Sequence, residues 1–340
     1  MSAVSKIDVA VVGAASLIGA AVIEELRTTK FPYGHIFRLE ELRDIGRMGD
    51  DEDAEAALDI EQFDFKGVKL VFFCGRAELA QRHAHEASKH AWVVDGSSAH
   101  RERLEIPLVA ADVNPAALAG FGARGLISLP GSASIALATV LAPLHAVAAV
   151  SRIDVATYHC VSGGGREAVE GLAREAAALL NGQEPKLRPG RSRIAFNVIP
   201  QIDALDERGD SLEEHRMRVE AQRLLGRPGL AVNVTAVRVP VFFGHGLAVH
   251  VAFEREMTVE MALGALKSAP GILVVEATAK PPYPTPAGKS FGPDKVYVGR
   301  LRQDQTRAGS LNMWVMADNV RKCAAINAVQ VAHILVNAHC

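Results

Sequence analysis

The chain has 340 residues, enough for two domains of ordinary size, and 49% of them are hydrophobic, enough to fill a substantial core. Its 37 Lys and Arg residues nearly balance 39 Asp and Glu residues, and the net charge of −2 provides no positive field, so we predict no nucleic-acid partner. The four cysteines form no C-x-x-C pair, which argues against a disulfide framework and a structural zinc site and favours a reducing cytoplasm. They are Cys74, Cys160, Cys323 and Cys340.

One apolar run near the N-terminus invites comparison with a membrane segment. Residues 9–23 form a run of about 15 positions, fewer than the roughly 18 to 20 that a spanning helix needs. Asp8 lies in its approach, Glu24 and Glu25 follow it, and no A-x-A-like cleavage site comes after it. We therefore expect neither a membrane span nor a signal peptide.

The first part of the chain alternates between strand-like and helix-like patterns. Short β-branched runs predict strands, and helical spacing returns between them. This alternation predicts a parallel sheet with helical crossovers, the arrangement of α/β domains. The predicted strands are 7–12, 36–39, 68–74 and 91–95, and the predicted helices are 20–26 and 77–89.

Beyond about residue 130 the strands and helices no longer alternate strictly, which predicts an α+β second domain. Two segments rich in Pro, Gly and charge, 182–189 and 281–293, are expected to be surface loops. The chain ends in a long amphipathic pattern that predicts a final helix over 319–336. The other predicted elements are helices 135–144, 167–180 and 257–267 and strands 152–161, 231–243 and 249–254.

A glycine-containing turn follows the first predicted strand, where a phosphate-binding turn would lie. Ser16 stands where a middle glycine would let a ligand approach the backbone. Backbone N–H groups at the start of a helix, together with the helix dipole, favour a pyrophosphate. A cofactor turn and a purely structural turn both remain open. The candidate cofactor-binding residues are Gly13, Ser16, Leu17, Ile18 and Gly19.

Two acidic residues lie near the end of the second predicted strand. Glu40 and Glu41 come about 20 residues after the turn, where a carboxylate could bind a ribose hydroxyl of a dinucleotide. Charges that are simply solvated are the alternative. The pair is therefore a candidate cofactor contact.

Histidines supply further candidates for chemistry. Those in residues 83–90 point to different faces of the predicted helix, so we predict no metal site. His245 lies in a Gly-His-Gly corner after a predicted strand, which predicts an imidazole exposed at a turn. His159 and Cys160 are adjacent in a predicted strand, so their side chains are expected on opposite faces, with Cys160 as a buried, inert thiol.

Six segments in chain order carry recognisable motifs. They are the turn at 13–19 (G-A-A-S-L-I-G), 95–101 (D-G-S-S-A-H-R), 157–165 (T-Y-H-C-V-S-G-G-G), 197–200 (N-V-I-P), 238–245 (R-V-P-V-F-F-G-H) and 318–322 (D-N-V-R-K). They resemble, in order, the G-A-T-G-x-V-G, D-N-S-S-A-F-R, T-Y-Q-A-V-S-G-A-G, N-V-I-P, R-V-P-V with G-H-S, and D-N-L-R-K-G of the aspartate-semialdehyde dehydrogenase family. This resemblance covers nearly the whole chain.

The resemblance implies a fold and a chemistry. The expected fold class is α/β. An N-terminal Rossmann-like dinucleotide-binding domain would consist of residues 1–130 and be completed by the C-terminal helix in 318–340. A central α+β catalytic and dimerisation domain would consist of residues 131–317. It implies a homodimer, a small-molecule substrate, and NAD or NADP as cofactor, with Asn319 among the cofactor-binding residues. In the family reaction a cysteine attacks the aldehyde, hydride passes to the nicotinamide, and phosphate releases an acyl phosphate from the thioester.

The resemblance also implies roles for individual side chains. Arg238 would bind the substrate carboxylate, His245 would be the acid or base, and Arg101 would bind phosphate. Glu213 and Arg216 are similar to a Glu and Lys pair of the family and are candidate substrate-binding residues. Arginine in place of lysine keeps the charge but changes the hydrogen-bond geometry.

The departures from the family pattern fall on the chemistry. Residues 129–134 correspond to N-P-N-C-S-T, so Ser132 stands at the position of the nucleophilic cysteine. An aliphatic hydroxyl ionises less readily than a thiol by ~5 pKa units or more, a handicap of ~7 kcal/mol in forming the anion. His159 replaces the family's glutamine. Arg43 could meet a 2′-phosphate, but the acidic Glu41 beside it opposes this, so NAD, or no dinucleotide, is as plausible as NADP.

This substitution pattern resembles the Usg-like branch of the family, in which the cysteine is absent. Three hypotheses remain open. In the first, the protein is a dinucleotide-dependent oxidoreductase that acts on a semialdehyde or acyl-phosphate-type substrate without the covalent step. In the second, it is a non-catalytic dimer that binds a ligand or a partner. In the third, His245 or His159 activates Ser132 for acyl hydrolysis.

Overall fold

The protein is described by a computed structural model that covers residues 6–45, 56–187, 190, 192–288 and 292–339. The chain forms two compact units. The first consists of Met1–Gly131 and Ala324–Cys340, and the second consists of Ser132–Cys323. Asn319 is hydrogen-bonded to Ser162 and Gly244, and all three residues lie in the second unit. The domain boundaries at residues 130 and 318 stay a prediction.

The first unit contains a six-stranded parallel sheet, which confirms the predicted α/β domain. The strand order is β3-β2-β1-β4-β5-β6, so the connections reverse direction between β1 and β4. In open parallel sheets, ligands bind beyond the carboxyl ends of the strands at such a reversal. The elements are β1 (Ile7–Val12), α1 (Leu17–Thr28), β2 (Tyr33–Glu40), α2 (Leu42–Ile45), β3 (Leu58–Asp59), β4 (Leu70–Phe73), α3 (Ala77–Ala87), β5 (Trp92–Asp95) and β6 (Gly125–Ser128).

Both faces of this sheet are covered by helices, which explains why its strands read as nearly continuous apolar runs. On one face Val11 and Phe72 pack with residues of α1 and with the last helix of the chain, which contributes Val331 and Leu335. On the other face Val71, with its neighbours, packs against α3. The C-terminal helix therefore completes the first domain, as the resemblance implied.

The second unit contains a mixed six-stranded sheet in the order β10-β11-β12-β9-β7-β8. A long apolar helix, α4, packs in this unit, and its residues Leu137, Leu141 and Leu144 are completely or almost completely buried. These features match the expected α+β domain. The elements are α4 (Ser132–Val147), β7 (Val150–His159), α5 (Arg166–Leu180), α6 (Leu212–Leu224), β8 (Ala231–Arg238), β9 (His245–Phe253), α7 (Val259–Ser268), β10 (Ile272–Val274), β11 (Val296–Gln303) and β12 (Leu311–Ala317).

The strand predicted over 231–243 ends at Arg238, and this early end shapes the candidate site. Pro240 has no N–H group to continue a strand ladder. The chain therefore turns, and its carbonyls accept hydrogen bonds from the loop after β7: Val161 N–H donates to Val241 O and Ser162 N–H donates to Phe242 O.

The last predicted helix begins differently from the expectation. The carboxylate of Asp318 accepts the N–H groups of Val320 and Arg321. A π-helical turn, Arg321–Ile326, follows, and the regular helix α8 runs over Asn327–His339. Within the described part of the chain, no helix has both the length and the apolar character needed to cross a membrane.

Candidate active site

Ser132 and His245 are brought together by the start of a helix and the start of a strand. Ser132 is the first residue of α4 and His245 the first residue of β9. Ser132 Oγ lies 3.0 Å from His245 Nε2. The predicted exposure of His245 is wrong, because β9 is an interior strand between β12 and β7 and only 2% of the residue is exposed.

The other nitrogen of His245 faces the residue after β7. The backbone N–H of Cys160 donates to His245 Nδ1 at 3.3 Å, and Cys160 Sγ lies 3.3 Å from the same nitrogen. An Nδ1 that accepts a backbone N–H carries no proton, so neutral His245 carries its proton on Nε2 and donates it to Ser132 Oγ. Burial, and then the charge of Arg238, lower the pKa of His245 from 6.5 to about 3. His245 is therefore neutral at pH 7 and has no lone pair facing Ser132.

Cys160 is buried, as predicted, but it belongs to the site. Its Sγ lies 3.1 Å from Ser162 Oγ and 3.1 Å from Asn319 Oδ1. Asn319 Oδ1 also accepts hydrogen bonds from Ser162 Oγ and from Gly244 N–H, both at 3.1 Å. Burial raises the pKa of the Cys160 thiol. Asn319, a candidate cofactor contact in the sequence, thus ties together the segments on either side of His245.

Arg238 and His159 end neighbouring strands, β8 and β7, and supply the charge and a second imidazole. Arg238 Nη1 donates to Cys160 O at 2.6 Å, and burial lowers its pKa, although a guanidinium stays charged in proteins. The His159 ring lies 4.4 Å from that of His245, centroid to centroid. Burial, with His245 and Arg238 nearby, lowers the pKa of His159 well below 6.5. Arg238 therefore supplies a positive charge beside two neutral imidazoles.

Helix α6 carries the predicted pair Glu213 and Arg216. Its first turn is fixed by a capping box, and Glu214 also accepts the backbone N–H of Ala236 in β8 at 2.8 Å. This places Glu213 Oε1 4.0 Å from His159 Nε2, an atom that is buried without a hydrogen-bond partner in the described structure. Arg216 Nη1 donates to Asp203 at 2.8 Å. A ligand that hydrogen-bonds His159 Nε2 would satisfy this orphaned atom.

Arg101 belongs to the first unit, in the loop after β5. His100 Nδ1 lies 2.6 Å from Asp95 Oδ2, and Asp95 Oδ1 accepts Ser97 N–H at 2.8 Å. The guanidinium of Arg101 donates to Gly96 O at 2.9 Å. The loop is thus held by its own hydrogen bonds, and the phosphate-binding role of Arg101 stays a prediction.

The glycines of the 13–19 turn are required by packing. Gly13 has φ +77°, and a Cβ there would lie 2.6 Å from Gly75 N; a Cβ on Gly19 would lie 2.1 Å from Gly13 O. Ser16 Oγ accepts Gly19 N–H at 2.9 Å as the N-cap of α1 and donates to Cys74 O at 3.0 Å. The hydroxyl of Ser16 therefore has a structural role at the start of α1.

This turn also fits the phosphates and ribose of a dinucleotide. Leu17 and Ile18 open helix α1, and the first N–H groups of a helix are the donors that bind anions. Glu40, the last residue of β2, accepts Ala15 N–H at 2.5 Å, and burial raises the pKa of its carboxyl. Glu41 follows directly, whereas the side chain of Arg43 lies outside the described residues. Among the described side chains, no group of three or more metal-ligating residues is arranged to hold an ion.

Comparison with known proteins covers both units. Residues 8–121 match the semialdehyde dehydrogenase NAD-binding domain, and residues 141–322 match the semialdehyde dehydrogenase dimerisation domain. An aspartate-semialdehyde dehydrogenase of Shewanella sp. (strain DB6705) is 38% identical over 333 residues, 97% of this chain and 98% of that protein. The chain belongs to the aspartate-semialdehyde dehydrogenase family.

Two further relatives of this aspartate-semialdehyde dehydrogenase family member are informative. The USG-1 protein homolog of Azotobacter vinelandii is 35% identical over 331 residues, 97% of this chain and 98% of that protein. The crystal structure of aspartate semialdehyde dehydrogenase II from Vibrio cholerae, complexed with ASA, has 36% sequence identity and a TM-score of 0.93. The match covers 99% of this chain and 100% of the Vibrio cholerae chain. The fold expected from the sequence is thereby confirmed.

Sequence reasoning missed Cys160 as a contributor to the active site. Cys160 was expected to point away from His159, but β7 ends at His159 and the next residues form a 3₁₀ turn, so strand alternation no longer applies. Glu40 was grouped with Glu41 as a candidate cofactor contact, and its carboxylate accepts Ala15 N–H in the turn. Alternation along β2 was the available signal, because it places successive side chains on opposite faces.

Proposed function

We propose that the protein binds a carboxylate-bearing semialdehyde or acyl-phosphate-type substrate and a nicotinamide dinucleotide, as an oxidoreductase that forms no thioester. The single observation that carries this proposal is the contact of 3.0 Å between Ser132 Oγ and His245 Nε2. It supports the proposal because it brings a hydroxyl, and not a thiol, next to the imidazole of His245. Turnover by the ordinary phosphate-dependent route is then very low or absent.

The electrostatics of the site support a carboxylate ligand. Arg238 is a largely buried cation whose observed hydrogen bond goes to a carbonyl, Cys160 O. A substrate carboxylate would pair with this charge through the remaining guanidinium donors. The orphaned His159 Nε2 would then bind a second polar atom of the same ligand.

Covalent catalysis by Ser132 is disfavoured by the proton arrangement. In a serine hydrolase the histidine accepts the serine proton through a nitrogen whose partner nitrogen donates to a carboxylate. Here His245 Nδ1 faces the N–H and Sγ of Cys160 instead of a carboxylate. The acyl-hydrolysis hypothesis therefore lacks the group that would orient and stabilise a charged imidazole.

Chemistry without a covalent step remains available to this arrangement. The dinucleotide, when bound, would supply a hydride to the carbonyl carbon of the aldehyde, or would accept one from the aldehyde hydrate that water forms. Ser132 O–H and His245 Nε2–H are donors that would bind the carbonyl oxygen, a role that does not require either group to ionise. In the direction of aldehyde reduction, water would deliver the proton to that oxygen.

A second candidate function is ligand binding without catalysis, and the two neutral imidazoles favour it. Burial lowers the pKa values of both His159 and His245, so neither exchanges a proton readily near pH 7. A general acid or base works best when its pKa lies near the operating pH. Detectable hydride transfer by purified protein separates the first candidate from this one.

We also propose a homodimer formed through the open face of the second sheet. Ala156 and Tyr158 of β7 lie beside Ala248 and Gly246 of β9, and the Tyr158 ring is 5.6 Å from that of Trp314, centroid to centroid. Small and aromatic side chains on a sheet face suit a second copy of the same surface. The match to a dimerisation domain over 141–322 supports this assignment.

The buried free thiols Cys74, Cys160 and Cys323 support a reducing cytoplasm as the location of the protein.

A thermal-shift panel tests the proposed function. Aspartate semialdehyde, inorganic phosphate, NAD and NADP are added separately to the full chain. A ligand present at 100 times its Kd stabilises the folded state by about 2.7 kcal/mol. Arg238→Gln should remove the shift given by the semialdehyde. The control is Arg218→Gln, which removes a cation from the same helix as Glu213, and it should keep the shift. Arg218 pairs with Asp210, before that helix. The absence of any shift with semialdehyde and dinucleotide would contradict the proposal.

A further inference from the structure

The carboxyl end of β2 carries two consecutive acidic residues beside the turn that fits a dinucleotide. Strand β2 pairs with β1, and the 13–19 turn begins directly after β1. In Rossmann-like domains the adenosine ribose lies near the end of the second strand, where an acidic group accepts hydrogen bonds from its hydroxyls. The side chains at this edge therefore decide whether the ribose can carry a phosphate.

Glu40 is held against the turn itself. It is 4% exposed, and its Oε1 accepts Ala15 N–H at 2.5 Å. When one oxygen of a carboxylate accepts a backbone N–H, the second oxygen can still accept other hydrogen bonds. Glu40 is thus fixed in position as an acceptor for a hydroxyl group.

Glu41 forms ion pairs with two arginines that could otherwise bind a phosphate. Arg76, the N-cap residue of α3, is paired with both Glu41 and Asp44. Arg82, farther along α3, is paired with Glu41 at 2.6 Å and with Glu61 at 2.7 Å. Each guanidinium therefore already contacts two carboxylates.

The charges of this cluster leave a net excess of negative charge among the described side chains. Four carboxylates, those of Glu40, Glu41, Asp44 and Glu61, lie near the guanidinium groups of Arg76 and Arg82, with Arg38 of β2 as the third cation near Glu40. A phosphate placed here would face carboxylates and would have to displace existing ion pairs. A ribose hydroxyl would instead donate a hydrogen bond to them.

We propose that Glu40 and Glu41 restrict the first unit to a dinucleotide whose adenosine ribose is unphosphorylated, so that the protein binds NAD(H) and rejects NADP(H). This inference rests on the dinucleotide site of the proposed function. Glu40 selects for the free hydroxyl, and Glu41 selects against the phosphate by holding Arg76 and Arg82. The two residues are specificity-determining residues of one site.

Calorimetric titration of the full chain with NADH and NADPH tests the inference without depending on activity. The wild-type protein should bind NADH at least tenfold more tightly than NADPH. Glu41→Ser should leave Arg76 with Asp44 alone and Arg82 with Glu61 alone, and should thereby improve NADPH binding at least tenfold, with less than a threefold change for NADH. Glu40→Gln, which keeps an oxygen for Ala15 N–H, should weaken NADH binding at least fivefold. Glu86→Ser removes an exposed carboxylate of α3 that pairs with Lys89, which follows the helix, and this variant should change neither affinity.

The outcomes separate this inference from the proposed function. Equal or tighter binding of NADPH by the wild-type protein overturns the selectivity while leaving the dinucleotide site standing. Binding of neither dinucleotide at millimolar concentration overturns both. Should Glu41→Ser unfold, Glu41→Gln keeps the side-chain volume and tests the same loss of charge. An unchanged NADH to NADPH ratio in a folded Glu41 variant excludes the role of Glu41.

Discussion

His245 donates its proton toward Ser132 instead of accepting one from it. The 3.0 Å between Ser132 Oγ and His245 Nε2 resembles a serine nucleophile paired with its base, but the backbone N–H of Cys160 is directed at Nδ1 and reverses the direction of the hydrogen bond. A pKa of about 3 for the buried imidazole has the same consequence, since it opposes proton uptake. Distance alone would suggest a catalytic dyad, and the Cys160 N–H directed at His245 Nδ1 argues against it.

Replacing Ser132 by cysteine should create the most reactive thiol of the protein. Position 132 begins the 16-residue helix α4, whose dipole stabilises a thiolate, and His245 Nε2–H would donate to it. The native thiols are disfavoured as anions, because burial raises the pKa of Cys74 and Cys160 and raises that of Cys323 to about 12. In Ser132→Cys, iodoacetamide should therefore alkylate the new thiol at least tenfold faster than these three, as measured by mass spectrometry.

A second variant identifies the cause of that reactivity. Adding His245→Ala to Ser132→Cys should slow the alkylation, because the donor to the thiolate is lost. A new thiol that reacts no faster than the native ones would mean that the pocket no longer supports the family chemistry. Phosphate-dependent oxidation of aspartate semialdehyde by Ser132→Cys would instead show that only the nucleophile is missing.

The wild-type protein should show almost no phosphate-dependent oxidation of aspartate semialdehyde. A handicap of ~7 kcal/mol in forming the nucleophilic anion corresponds to a rate lower by about 10⁵. The assay follows dinucleotide reduction by the purified protein, with Ser132→Ala as the control for a contaminating enzyme. Turnover within tenfold of the rate of Ser132→Cys, and absent in Ser132→Ala, would contradict the prediction.

Much of the fold could be predicted from the sequence because its strands are short, apolar and regularly placed. Strands β1, β2, β4 and β5 of the first sheet lie close to where the alternating pattern places them, whereas β3 and β6 were not predicted. Strands β11 and β12 were not predicted. The pattern of Val296–Gln303 is interrupted by Gly299 and Arg300, and Leu311–Ala317 is an apolar run that fits a strand or a buried helix equally well.

The residue types of the site were available in the sequence, but their proton positions were not. Motif resemblance selected Ser132, His159, Arg238 and His245, which lie around one another in the second unit. Which nitrogen of His245 carries the proton depends on Cys160 N–H, and that contact exists only because the chain turns after β7. Such information is three-dimensional and leaves no periodic signal.

Disrupting the open face of the second sheet should abolish the proposed homodimer. Ala156 lies on this face beside Ala248 of β9, so Ala156→Arg would bury an unpaired charge in the proposed interface, a change that costs about 3 kcal/mol or more. The dissociation constant should therefore rise at least 100-fold in sedimentation equilibrium. Leu104→Arg, at a residue that is 81% exposed in the first unit, is the matched control and should leave the dimer intact. A wild-type monomer at micromolar concentration would refute the assignment.

The two buried imidazoles should make the protein less stable in mild acid. His245 has a folded-state pKa of about 3, and that of His159 is also lowered well below 6.5, so the unfolded state binds protons that the folded state does not. The free energy of unfolding then falls as pH drops below about 6.5, by about 1.4 kcal/mol per pH unit for each histidine, and their contribution is constant above that pH.

The variant His159→Gln tests this dependence because it removes one of the two imidazoles. Between pH 7 and pH 5 the wild-type protein should therefore lose about 2 kcal/mol more free energy of unfolding than His159→Gln loses. Urea denaturation at the two pH values measures this difference. His85→Gln, on the exposed surface of α3, controls for loss of an imidazole elsewhere. Parallel pH profiles for wild type and His159→Gln would show that His159 is protonated equally in the folded and unfolded states, and the neutral pair assigned to this site would be wrong.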